Sequence, residues 1–142
     1  MATGVSGALR KQAVFGAADG VAAVIGLVAL VGQPHALFKA AIGVALAELV
    51  GMTAGAWLSA DEDTGFWHAL ANGAAAFVAV TAPAVPFAFL SGWAALGCSL
   101  GIIASIGAVI SFLRVERGLA AVGKTYGVLL VAAVVCVAAA FI

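Results

Sequence analysis

Five apolar stretches, each long enough to cross a bilayer as a helix, follow one another along the chain with only short polar breaks between them. A helix needs about 20 mostly apolar residues to span the hydrocarbon core. The stretches run from about 13 to 32, 37 to 59, 66 to 86, 92 to 112 and 119 to 142. They end at Gln33-Pro34-His35, at the acidic run Asp61-Glu62-Asp63, at Pro83 and Pro86, and at Arg114-Val115-Glu116-Arg117. A soluble alternative fails on charge. Only 8% of the 142 residues are charged and 65% are hydrophobic, against about 25% charged in an ordinary soluble domain. Six Lys/Arg and six Asp/Glu cannot coat a water-exposed surface. The expected fold is an all-α integral membrane protein, a single transmembrane domain of five helices.

The segment before the first stretch, Met1 to Gln12 with Arg10-Lys11, has the charged front of a signal peptide. The apolar stretch behind it is too long and shows no convincing cleavage site, so it reads as a retained first helix. Lys and Arg mark the cytoplasmic side of membrane proteins. Arg10, Lys11, Arg114, Arg117 and Lys124 all fall on one side of a five-helix path, and Lys39 alone falls on the other. That places the N-terminus in the cytoplasm. The short connections and the Ala/Gly/Val-rich composition point to a bacterial inner membrane. The net charge of zero gives no sign of a nucleic-acid partner.

Small residues recur four apart at Gly16/Gly20, at Gly43/Ala47/Gly51/Gly55 and at Gly97/Gly101. Such rows let helix backbones approach closely in lipid. Packing within one bundle accounts for them. However, five short helices enclose little interior, so a homodimer with a pathway at or near its interface is the natural extension. Cys98 and Cys136 lie in apolar runs without metal-ligand or disulfide spacing and read as packing residues.

Acidic groups within a membrane cost at least a few kcal/mol each and mark function by default. Asp19 in the first helix and Glu48 in the second are the two candidates. Asp19 lies about 9 Å in from the cytoplasmic end at 1.5 Å per residue. Counted from the same face, Met52 reaches a similar depth, Glu48 sits one turn deeper, and Asn72 of the third helix reaches the same level. Carboxylates suit hard divalent ions, and a thioether shifts the set towards first-row transition metals. A membrane carboxylate can also take up a proton as it releases a cation. Each candidate has a plainer alternative: Met52 as packing, Asp19 as a structural hydrogen-bonding group, Glu48 neutralised by a partner such as Lys124. Asp61, Glu62 and Asp63, with His68 behind them, would stand at the cytoplasmic mouth as a cation-attracting or solvated loop. His35 reads as an interfacial loop residue, and Trp57, Trp67, Trp93 and Tyr126 as interfacial aromatics near helix ends. No phosphate loop, nucleophile triad or Cys/His zinc pattern is present, so no enzyme chemistry is expected.

Several of these segments also resemble a known family. Val14-Phe15-Gly16-Ala17-Ala18-Asp19-Gly20 resembles the first-helix signature of the vacuolar iron transporter family. Gly51-Met52-Thr53-Ala54-Gly55-Ala56-Trp57-Leu58-Ser59 is similar to its second-helix stretch, and Pro83-Ala84-Val85-Pro86 to the prolines that end its third helix. The likeness runs through most of the chain and is strongest over the first two helices. It implies a five-helix homodimer that carries Fe²⁺, and often Mn²⁺, out of the cytosol in exchange for protons. It further implies a path at the dimer interface lined by Asp19 and Met52. Three departures accompany it. The family's second-helix Glu corresponds to Val44, with Glu48 one turn later. The acidic residue ahead of the first-helix Asp corresponds to Gln12. The cytoplasmic metal-binding insert between the second and third helices is reduced to Ser59–Phe66. Proton-coupled export of small organic cations and a non-transporting membrane subunit are the competing expectations.

Overall fold

The computed structural model describes residues 2–30, 33–59, 65–113 and 119–139. These form α1 (Ala2–Leu30), α2 (Pro34–Leu58), α3 (Phe66–Ala84), the single turn α4 (Pro86–Phe89), α5 (Gly92–Leu113) and α6 (Leu119–Ala139). No strand occurs among the described residues. Four segments are long and apolar enough to cross a membrane: Gly7–Val28, Pro34–Leu58, Phe66–Phe89 and Gly92–Leu113. In α6 the described apolar stretch is shorter, Val122–Val135. The molecule is an all-α, multi-pass membrane protein. Its outward surface agrees: Phe15, Val50, Val78, Phe112, Leu130 and Val131 are all more than half exposed, which water would penalise and lipid does not.

The helices depart from their expected bounds for local reasons. Helix α1 begins at Ala2 rather than near residue 13. Arg10 and Lys11 read as a polar break but are good helix formers, and nothing between Ala2 and Gln12 stops the helix. At 29 residues it is about 44 Å long, so its first turns project beyond the hydrocarbon. Helix α2 starts at Pro34 rather than Leu37, with Pro in its first turn and the Leu37 amide donating to the Gln33 carbonyl at 2.9 Å. Proline suits this position because the amide it lacks would have no partner there. His35 is thus an exposed residue of the first helical turn, not of a loop. Near Pro83 and Pro86 the third span overwinds, with the Val85 amide shared between Thr81 (3.1 Å) and Ala82 (3.4 Å), and then restarts as α4. The turn into α5 passes through Gly92 at φ +59°.

Helix α3 is the centre of the bundle. It packs against α1 and α2 on neighbouring faces, while α5 and α6 close round α1. Its inward residues are mostly small: Ala69, Gly73, Ala76, Ala79 and Ala84 are buried. A Cβ on Gly16 or Gly20 of α1 would overlap the backbone of α3 at Asn72 or Ala76, and one on Gly73 would overlap Leu49 and Thr53 of α2. Of the three predicted small-residue rows, the first is therefore used inside the chain. The rows on α2 and α5 face outward, with open space where Cβ atoms would stand at Gly43, Gly51, Gly55, Gly97 and Gly101. Tyr126 belongs to this packing too. Its ring lies against Gly107 and its hydroxyl donates to the Ala104 carbonyl at 2.6 Å, fastening α6 to α5 instead of sitting at a helix end. Trp57, Trp67 and Trp93 are exposed at helix ends. Cys98 faces outward from α5 rather than into the packing, and the Cys136 side chain lies outside the described residues.

Candidate functional site

The close seat of α1 on α3 governs where the first-helix carboxylate points. Gly16 and Gly20 turn towards α3, which leaves Asp19, one residue before Gly20, on the flank of α1. There it is exposed in the single chain. On α2, Leu49 and Thr53 face Gly73, leaving Glu48 and Met52 half-buried on the flanks of that contact. Asp19 and Glu48 come near enough to interact electrostatically.

The two close seats also set the depth of each residue. Gly16 lies opposite Asn72 and Gly20 opposite Ala76, so α1 and α3 run in parallel with Asp19 about level with Ala75. Helix α2 runs antiparallel, with the turn from Leu49 to Thr53 opposite Gly73. This register brings Glu48 level with Asp19 and sets Met52 level with Asn72. Counting residues from the helix ends had put Met52 beside Asp19 and Glu48 a turn deeper. The difference arises because the Gly73 seat fixes the sliding of α2 along α3, which no helix boundary reveals.

Polar atoms along this three-helix junction are left without partners. Elsewhere, hydroxyls bond back to the carbonyl one turn earlier, as Thr81 does to Phe77 (2.7 Å), Ser105 to Gly101 (2.8 Å) and Ser111 to Gly107 (2.8 Å). Such self-satisfaction is what an apolar surrounding demands. In contrast, Glu48 Oε2, Thr53 Oγ1, Asn72 Oδ1 and both ring nitrogens of His68 are buried without a hydrogen-bond partner. All belong to α2 or α3, and His68 stands one turn ahead of Asn72 on the same face of α3. Ser99 Oγ of α5 is the sixth such atom among the described residues. Buried polar groups are nearly always satisfied, so a group of orphans calls for an explanation.

Of the expected site residues, Asp19 and Glu48 interact electrostatically, Asn72 is buried where α3 meets Gly16 of α1, and Met52 is half-buried on α2. His68 is drawn into the helix packing rather than left in a solvated loop. Asp61, Glu62 and Asp63 lie outside the described residues. Thr53 was read only as part of a motif, and its hydroxyl at the Gly73 seat gave no signal in the sequence. Among the described residues no three of His, Cys, Asp and Glu are gathered closely enough to hold a metal ion. The described residues of one chain offer two carboxylates, an amide, a hydroxyl and a thioether along these three helices. No protein-family model, no curated protein and no solved structure matches the chain.

Proposed function

We propose that the chain is a divalent transition-metal transporter, acting as a homodimer of five-span subunits with cytoplasmic N-termini and exchanging Fe²⁺ or Mn²⁺ for protons. The observation that supports this reading best is the position of Asp19. It lies within a membrane-spanning helix, exposed on the surface of one chain, with Glu48 in its field. A carboxylate facing lipid costs about 3 kcal/mol. A second subunit or a water-filled path beside α1 and α2 relieves that cost. The open Gly43/Ala47/Gly51/Gly55 row on α2 gives a second copy a flat surface on which to approach.

Two chains related by a two-fold axis supply what one lacks: four carboxylates and two thioethers around a shared path. Asp19 would bind the ion and exchange it for a proton, Glu48 would share the charge, Met52 would favour a softer ion over Mg²⁺ or Ca²⁺, and Asn72 Oδ1 would accept from a coordinated water. His68 continues the same polar line on α3 towards its first turn, which Asp61, Glu62 and Asp63 precede in sequence. The fifth span would be α6, whose described apolar stretch is Val122–Val135.

The test is to reconstitute the protein in liposomes and follow Fe²⁺ and Mn²⁺ uptake with an internal dye, with and without a proton gradient. Gradient-stimulated uptake is expected. Uptake of a lipophilic organic cation that metal does not inhibit would replace the metal reading with organic-cation export. No flux from folded protein would leave a non-transporting subunit.

A further inference from the structure

At the end of the bundle where α5 leads into α6, a cavity of about 420 Å³ opens between α1, α5 and α6. Small-molecule sites span roughly 300–1,000 Å³, so the space is large enough for a ligand. Its rim carries Arg10 and Lys11 of α1, and its walls include Val14, Ile110, Leu113 and Val128. Among the described residues no carboxylate lines it. The two acidic groups among the described residues, Asp19 and Glu48, belong to the α1–α2–α3 junction. Phe15 and Val128, 63% and 61% exposed, mark its open side. Arg10 also borders a second cavity, between α5 and α6, lined by Phe112, Leu119 and Val122.

We infer that this cavity binds an anionic phospholipid, with Arg10 and Lys11 holding the phosphate and the apolar walls taking the upper acyl chain. Two observations meet here. The cations stand beside Leu113, where the described part of α5 ends, at one end of the bundle, and the walls beneath them are apolar and open sideways. A free phosphate would satisfy the rim alone, and an uncharged lipid the walls alone. Only an anionic amphiphile satisfies both. Basic pockets between membrane helices recognise anionic headgroups in this way. The site is distinct from the proposed metal path and does not depend on it.

The test uses the whole protein in detergent, exchanged against phosphatidylglycerol or phosphatidylcholine, with bound lipid counted by native mass spectrometry. Wild type is expected to retain phosphatidylglycerol in preference to phosphatidylcholine. Arg10→Gln/Lys11→Gln should reduce that preference by about thirtyfold, near fivefold for each cation. Val128→Trp, at an exposed wall position, should displace the lipid with both cations intact. Lys39→Gln, at the other end of the bundle, should leave the preference unchanged. Equal retention of the two lipids, a preference that survives both the double variant and Val128→Trp, or full displacement of lipid by millimolar inorganic phosphate would each overturn the inference. Should the double variant fail to fold, Val128→Trp decides alone.

Discussion

Replacing Gly16 by Ala should loosen the whole bundle. The added Cβ would stand 2.9 Å from the Asn72 carbonyl carbon and 2.8 Å from its Oδ1, with the carbonyl oxygen closer still. Ordinary contact begins near 3.4 Å, so the carbon alone is 3.4 − 2.9 = 0.5 Å too near. The obstacle is backbone, which cannot turn aside as a side chain does, and α1 must retreat from α3. A radial gap of this size forfeits a quarter or more of the dispersion energy along a packed seam, and overpacking typically costs about 1–3 kcal/mol. The better helix propensity of Ala returns at most about 1 kcal/mol. The net expectation is a loss of about 1–2 kcal/mol. Reversible unfolding in mixed micelles, followed by circular dichroism, reads it directly. Gly97→Ala, on α5 and away from the proposed α2 interface, is the control, because its Cβ meets open space and the helix should gain up to about 1 kcal/mol. If Gly16→Ala and Gly97→Ala unfold alike, the α1–α3 seat is not as close as described, and the register derived from it fails too.

Asn72→Leu should leave stability unchanged or raise it by about 1 kcal/mol in the same assay, since it removes a buried unpaired oxygen without much change in volume. It should at the same time slow metal flux, and a variant that is both stabilised and fully active would remove Asn72 from the path. Tyr126→Phe should cost about 1 kcal/mol for the lost bond to the Ala104 carbonyl. Gly92→Ala should cost about 1–2 kcal/mol, because φ +59° is left-handed backbone that a Cβ disfavours. Gly51→Leu should leave the monomer fold intact but dissociate the dimer by analytical ultracentrifugation. A stable dimer would move the subunit interface away from α2.

The long apolar runs between charged connections made the helices legible in the sequence, and four of them are membrane-spanning by length and composition. Helix ends were harder to read. Arg10-Lys11 resembled a break yet continues α1, and Pro34-His35 resembled a loop yet begins α2, because both segments are compatible with a helix and only their neighbours decide. The three rows of small residues look the same in one dimension, although one is closed against α3 and two are open. Asp19 and Glu48 stood out because charge is so scarce here. Their common depth did not, since it depends on Gly73 meeting Leu49 and Thr53 across two helices. Tyr126 was misread for a similar reason: an aromatic near a predicted helix end carries no mark of the carbonyl it reaches 22 positions away.

The central claim is that Asp19 binds and exchanges the transported ion, and Asp19→Asn tests it most directly. Its side chain is exposed in the single chain, so the substitution should leave the fold and the dimer intact. Wild type and variant would be reconstituted side by side, with Mn²⁺ uptake followed under an imposed proton gradient. The expected result is gradient-driven uptake by wild type that falls to the protein-free background in Asp19→Asn. Undiminished uptake by a folded, dimeric variant would contradict the claim and place the path elsewhere in the molecule.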